Sequence, residues 1–172
     1  GAKNMNTTEI RPAKSDSEIQ DIAILAEEIW HQHFTPIIGK EQVDYMVDKF
    51  QSYPAIKAQI EHDGYEYFQI YRSHAMAGYT GIHQEADALF LSKLYVKKEF
   101  RGCHLATEAF QFLVNLCRER GLSKIYLTCN KHNDNTLAIY DHLGFKITDE
   151  QVADIGNGFV MDDYILTYAI SK

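Results

Sequence analysis

Residues 94–107, Leu-Tyr-Val-Lys-Lys-Glu-Phe-Arg-Gly-Cys-His-Leu-Ala-Thr, constrain this chain more than any other stretch. An apolar strand ending, Leu94-Tyr95-Val96, crosses a charged connection into a helix pattern that opens at residues 101–106 and runs to about Arg120. A short loop that delivers a strand onto a helix leaves the first backbone N–H groups without acceptors, with the positive end of the helix dipole behind them. Such an end suits an anion, above all a phosphate.

The rest of the pattern supplies a scaffold for that element. Residues 65–71, 76–83 and 88–96 read as three strands with short connections at Arg72-Ser73-His74 and 84–87, an antiparallel meander. Residues 88–96 are apolar on both faces for most of their length, with Lys93 the exception, which marks a central strand. Leu105, Ala109, Phe112, Leu113 and Leu116 form the stripe of the helix that follows, which ends near Gly121. Residues 123–129 are then a strand reached by a crossover, so they lie parallel to 88–96.

Upstream, residues 9–13 make a short strand that Pro12 confines to an edge, and Ser15-x-x-Glu18 is a capping box. Ile19, Ile22, Ala23, Ala26, Ile29 and Trp30 recur at helical spacing, and Pro36 predicts a loop over residues 30–36. Val43, Met46, Val47 and Phe50 mark a second helix, and Pro54 starts a further turn or two. Downstream, a helix over 136–143 is capped by Gly144, residues 145–148 are a strand, and Asn157-Gly158 turns a hairpin into a last strand over 159–170. The expected class is α+β: a mixed sheet of about seven strands with about four helices packed on both faces.

A chain of 172 residues, 45% hydrophobic, is most economically one domain over 1–172, with residues 1–6 read as a disordered or tag-derived tail. No run approaches the ~18 apolar residues of a membrane span, so a soluble, cytoplasmic protein without a membrane partner is expected. Three cysteines lack metal-type spacing, and no metal is expected. Cys103 sits at a helix start, where a thiol pKa can be lowered, but a small side chain in a backbone-driven loop is the favoured account of it. The net charge of −7 argues against nucleic acid as a partner and suits a cationic substrate.

Arg101 to Ala106, by spacing, resembles the pyrophosphate loop of the GNAT superfamily of N-acetyltransferases, Gln/Arg-x-x-Gly-x-Gly/Ala, with His104 in place of the first motif glycine. Downstream, Asn133 followed by Tyr140-Asp141-His142-Leu143-Gly144-Phe145 is similar to that family's Asn and Tyr-x-x-Leu-Gly-Phe. The resemblance implies acetyl-CoA as cosubstrate and direct transfer of its acetyl group to a primary amine of a small molecule or peptide. It implies that Leu94, Tyr95 and Val96 hold the pantetheine arm by main-chain bonds. Arg101, Gly102, Cys103, His104, Leu105, Ala106 and Thr107 would wrap the pyrophosphate. Here His104 either donates to a phosphate or stands idle.

Asn133 would contact the cofactor, cap a helix, or both. Tyr140 would be the general acid, since a phenol of pKa about 10 is protonated at neutral pH. Trp30, His31, His33, Phe34, His83 and Glu85 are candidates for the acceptor pocket, with a faint likeness to bacterial polyamine-type members. The base stays open among Glu66, His83, Glu85, Asp162, Asp163, His31 and His33. A homodimer is compatible with this reading. The alternative is a non-catalytic acyl-CoA-binding sensor or scaffold.

Overall fold

The computed structural model describes residues 7–171, so the tail expected over 1–6 lies outside the described residues. Seven strands, β1 (Thr8–Pro12), β2 (Tyr65–Arg72), β3 (Ala75–Glu85), β4 (Ala88–Val96), β5 (Lys124–Asn130), β6 (Lys146–Gly156) and β7 (Phe159–Ala169), pair in the order β1-β2-β3-β4-β5-β7-β6. Five helices accompany them: α1 (Asp16–Ile38), α2 (Lys40–Phe50), α3 (Tyr53–His62), α4 (Leu105–Arg120) and α5 (Asp134–Leu143). β4 and β5 are parallel while β1-β2, β2-β3, β5-β7 and β6-β7 are antiparallel, which makes the sheet mixed as expected. No helix among the described residues is long and apolar enough to cross a membrane. Two compact units emerge, residues 7–83 with Lys93–Phe112, and Gln84–Ser92 with 113–171.

In the first unit, the capping box sets α1: Ser15 Oγ accepts the Glu18 N–H at 3.1 Å and Glu18 Oε1 accepts the Ser15 N–H at 2.9 Å. Ile19, Ile22, Ala26, Ile29 and Trp30 then bury one stripe. The loop expected over 30–36 is absent, because α1 runs through Pro36 to Ile38. A proline inside a helix costs about 3 kcal/mol. Packing offsets that cost: the Trp30 and Phe34 rings sit 5.0 Å apart, Tyr95 lies 5.6 and 5.9 Å from them, and the Trp30 indole donates to the Tyr79 hydroxyl at 2.9 Å. Pro36 also falls in the last turn, which Gly39 closes at φ +86° by donating its N–H to the Thr35 carbonyl.

The turn expected at Pro54 is a full helix, α3, with Pro54 in the first turn and Ser52 as its cap. Between these elements runs a buried polar chain. The Tyr79 hydroxyl donates to Gln51 Oε1 at 2.7 Å, Gln51 Nε2 donates to the Tyr67 hydroxyl at 3.2 Å, and Tyr67 donates to Gln59 Oε1 at 2.6 Å. Gln59 Nε2 ends the chain on the Phe50 carbonyl at 2.8 Å. Every member is satisfied, the condition under which buried polar groups fix an arrangement rather than weaken it.

In the second unit, β4 and β5 pair only at Ala88↔Lys124, Leu89↔Ile125 and Phe90↔Tyr126. β5 continues beyond them to its end against β7, from Lys124↔Ala169 to Asn130↔Asp163, with no register shift. Asn157 (φ +55°) and Gly158 (φ +79°) make the expected turn from β6 to β7. β6 is longer than the strand expected over 145–148, because its exposed residues carry no apolar alternation and only pairing to β7 extends it. α5 ends in Gly144 at φ +106°, the left-handed cap expected there.

Candidate active site

The first unit contains the strand end and loop that the sequence marks for an anion. Beyond the last β4–β5 pair, Leu94, Tyr95 and Val96 continue as strand while only half-buried. β3 approaches them closely: a Cβ on Gly78 would lie 2.3 Å from the Tyr95 carbonyl oxygen and 3.2 Å from the Val96 Cα. The Lys97 N–H donates to the Ala77 carbonyl at 2.6 Å, and a single 3-10 turn, Lys98–Phe100, carries the chain to the loop.

Two residues of that loop are left-handed, Gly102 at φ +86° and His104 at φ +61°. His104 thus adopts a backbone conformation that glycine takes up without steric cost. Its carbonyl accepts the Glu108 N–H at 3.0 Å, which starts α4 and leaves the N–H groups of Leu105, Ala106 and Thr107 without intrahelical acceptors. Leu105 is buried at 2% exposure and anchors the turn, while Arg101, His104 and Thr107 are exposed and Cys103 is a half-buried free thiol. A non-glycine residue held left-handed costs about 1 kcal/mol, so His104→Gly is expected to raise stability by about that much, read from the denaturation midpoint.

The same unit gathers part of the expected acceptor set. Trp30, Phe34 and Tyr95 pack as above, and the His33 ring stands edge-on to Phe34 at 4.7 Å. His31 turns elsewhere: its Nε2 pairs with Asp44 Oδ1 at 2.6 Å and its Nδ1 with the Glu27 carbonyl at 2.7 Å. Those bonds, Asp44 first, raise its pKa, and it borders a cavity of about 300 Å³ with Glu27, Asp44 and Asp48. His83 lies 4.9 Å from the Tyr65 ring. Lys93, the odd residue in its strand, is half-buried, and desolvation lowers its pKa to about 8.

The second unit holds Tyr140, Asn133 and Glu85. Tyr140 is 8% exposed, its ring packs 5.2 Å from Phe145, and Phe145 lies 5.5 Å from Tyr168. Burial, with a smaller contribution from Cys129, pushes its pKa well above the ordinary phenol value, so the proton is firmly held. Asn133 is buried at the α5 cap, where its carbonyl accepts the Leu137 N–H at 3.0 Å but its side chain makes no capping bond. Glu85 accepts the Tyr126 hydroxyl proton.

Sequence reasoning gave no weight to Asp163 over its neighbours, yet it is 2% exposed, and its Oδ1 accepts no hydrogen bond. The one signal available was an acid pair, Asp162-Asp163, inside an otherwise strand-like run.

Three solved structures share this fold. The PaiA N-acetyltransferase of Thermoplasma acidophilum, in complex with coenzyme A, matches at TM-score 0.79 and 17% identity, over 95% of this chain and 99% of that one. The GCN5-related N-acetyltransferase of Rhodopseudomonas palustris matches at 0.78 and 16%, over 96% and 97%. The ribosomal-protein-S18-alanine N-acetyltransferase of Escherichia coli matches at 0.70 and 17%, over 96% of each chain. The family model for the acetyltransferase (GNAT) family matches residues 23–145, which includes both the loop at 101–106 and the motif at 140–145. The chain therefore belongs to the GNAT family of acetyltransferases.

Proposed function

We propose that this protein transfers the acetyl group of acetyl-CoA directly to a primary amine, with Tyr140 protonating the departing thiolate. The observation that carries the reading is the strand end at Leu94–Tyr95–Val96 followed by a loop with two left-handed residues and a helix start whose first N–H groups have no intrahelical acceptor. Main-chain groups of Leu94, Tyr95 and Val96 would take the amide-rich pantetheine arm. Arg101 to Thr107 would take the pyrophosphate, and Asn133, at the start of α5, would take a polar group of the cofactor. The likeness to a fold solved with coenzyme A supports the same donor.

For the acceptor, the net charge of −7 favours a cation, and polyamines lead the classes to be tried. The aromatic group Trp30, His33, Phe34 and Tyr95 offers ring faces, to which ammonium groups are attracted. A bacterial, cytoplasmic setting and a homodimer are consistent with this reading.

Acetyl-CoA is expected to raise the melting temperature, since a ligand selective for the folded state at about 100 times its Kd adds about 2.7 kcal/mol. Unchanged melting at saturating acetyl-CoA removes the donor assignment. Coenzyme A release measured across polyamines, amino acids, aminoglycosides and peptide N-termini then identifies the acceptor. Tight binding with neither transfer nor hydrolysis would favour the sensor reading.

A further inference from the structure

Within the first unit, α4 meets the edge strand pair β1–β2 through two contacts one helical turn apart. Thr8 and Arg72 are register partners across that pair, as Pro12 and Phe68 are, so Phe68 and Arg72 share one face of β2. The residues of α4 that meet them are also four apart. The Phe68 ring lies 5.3 Å from Phe112, and Arg72 reaches Glu108. The polar contact brings a hydroxyl and a guanidinium to one carboxylate oxygen. The Thr8 hydroxyl donates to Glu108 Oε2 at 2.6 Å and accepts from Arg72 Nη1 at 2.9 Å, and that nitrogen stands 3.9 Å from the same oxygen.

Glu108 occupies the first turn of α4. Helical side chains lean toward the N-terminus of their own helix, so this carboxylate reaches over the turn that carries the Leu105, Ala106 and Thr107 N–H groups. Those donors have no intrahelical acceptor, and an acidic side chain in a first turn is drawn to them. Left without a partner, the Glu108 carboxylate would become an anion built into the chain, competing with a pyrophosphate for the same groups and repelling it. Thr8 and Arg72 direct the carboxylate to the sheet instead, and Arg72 offsets its charge.

We propose that Arg72, oriented by Thr8, is a positioning residue for the donor: it holds Glu108 on β1–β2 and so keeps the start of α4 open to the pyrophosphate of acetyl-CoA. The assignment rests on the acetyl-transfer reading above. Arg72 itself touches neither phosphate nor thioester and acts through Glu108 alone. All four contacts belong to one unit, which also contains the loop at 101–107.

The test is a double-mutant cycle on the full chain at low ionic strength, with coenzyme A followed by calorimetric titration. Pantetheine, which lacks the pyrophosphate, is the reference ligand and is followed by amide chemical shifts. Arg72→Gln is expected to weaken coenzyme A about fivefold and to leave pantetheine unchanged. In a Glu108→Gln background the same substitution is expected to have no effect. The loss should also shrink toward nothing at roughly 1 M salt, where the screening length falls to ~3 Å. An equal loss in both backgrounds would mean that Arg72 meets the phosphates directly or merely supports the fold, and overturns the proposal. An equal loss for pantetheine, or an Arg72→Gln protein that binds coenzyme A as the wild type does, overturns it as well.

Glu108→Gln alone keeps the proposal exposed to disproof should Arg72→Gln fail to fold, because the Glu108 side chain is 47% exposed and its neutralisation threatens no packing. It is expected to bind coenzyme A at least as tightly as the wild type. Weaker binding would make the carboxylate a helper of the site rather than a competitor, which contradicts the assignment. A wild type that binds no coenzyme A strikes the donor reading and this proposal together, whereas a wild type that binds well, with variants indifferent to the cycle, strikes this proposal only.

Discussion

Tyr140→Phe lowers kcat by ~10²-fold or more and leaves acetyl-CoA affinity nearly intact, if the hydroxyl protonates the thiolate. The ring stays, so its contacts with Phe145 are kept and the fold is unaffected. Only the hydroxyl is lost, and it forms no hydrogen bond among the described residues that its removal would break. An interaction that develops in the transition state changes kcat without changing ground-state binding. Steady-state kinetics with the acceptor found by the screen, alongside calorimetric titration of acetyl-CoA, separate the two quantities. Until an acceptor is in hand, slow acetyl-CoA hydrolysis serves, with water in place of the amine. Parallel losses of rate and affinity would indicate positioning, and a fully active variant would return the proton to solvent. Burial keeps the Tyr140 phenol protonated at neutral pH but also makes it a weaker acid than an ordinary phenol, so proton transfer to the thiolate depends on the two being held in contact as the C–S bond breaks.

Gly78→Ala is expected to produce the largest loss of stability, about 3 kcal/mol by denaturant titration. Its added methyl would meet the Tyr95 carbonyl oxygen at 2.3 Å, and that oxygen is backbone, so no rotamer change relieves the clash. Gly102→Ala is the control. Nothing lies within 4 Å of a Cβ there, and the cost comes from φ +86° alone, about 1 kcal/mol. Equal losses at the two positions would mean that β3 yields freely beneath Tyr95. Because Tyr95 and Val96 belong to the proposed donor-binding strand, the Gly78 variant should also bind acetyl-CoA more weakly than its residual folded fraction explains.

What the sequence disclosed follows from where local chemistry is decisive. The capping box at Ser15, the Asn157-Gly158 turn and the Gly144 cap each depend on a few adjacent residues, and each is present where the pattern places it. The meander and the crossover strand were legible for the same reason, as periodicity is a short-range property. Pro36 misled, because the packing that carries α1 past it comes from Tyr79 and Tyr95, far away in sequence. β6 was drawn too short because a solvent-exposed edge strand gets its pairing from β7 and its composition from water. His31 drew notice as an imidazole in a supposed loop, and its helix instead aims it at Asp44. The site loop was legible as a spacing of residues, while the left-handed state of His104 required its dihedral. Asp163 could not be singled out, since burial of one acid beside another is written in strand register and not in residue type.

The buried chain from Trp30 to the Phe50 carbonyl has a direction. Each hydroxyl in it accepts from one side and donates to the other, and each amide presents its oxygen backward along the chain and its nitrogen forward. Turning any single amide over would set donor against donor at one joint and acceptor against acceptor at the next, so the five side chains Trp30, Tyr79, Gln51, Tyr67 and Gln59 hold one orientation or none. The indole of Trp30 is therefore locked from behind. Its ring, with Phe34 and Tyr95 against it, stands as a ready-made wall whose plane is settled by two glutamines before any ligand arrives, and a molecule that meets this wall does not have to spend binding energy on ordering it.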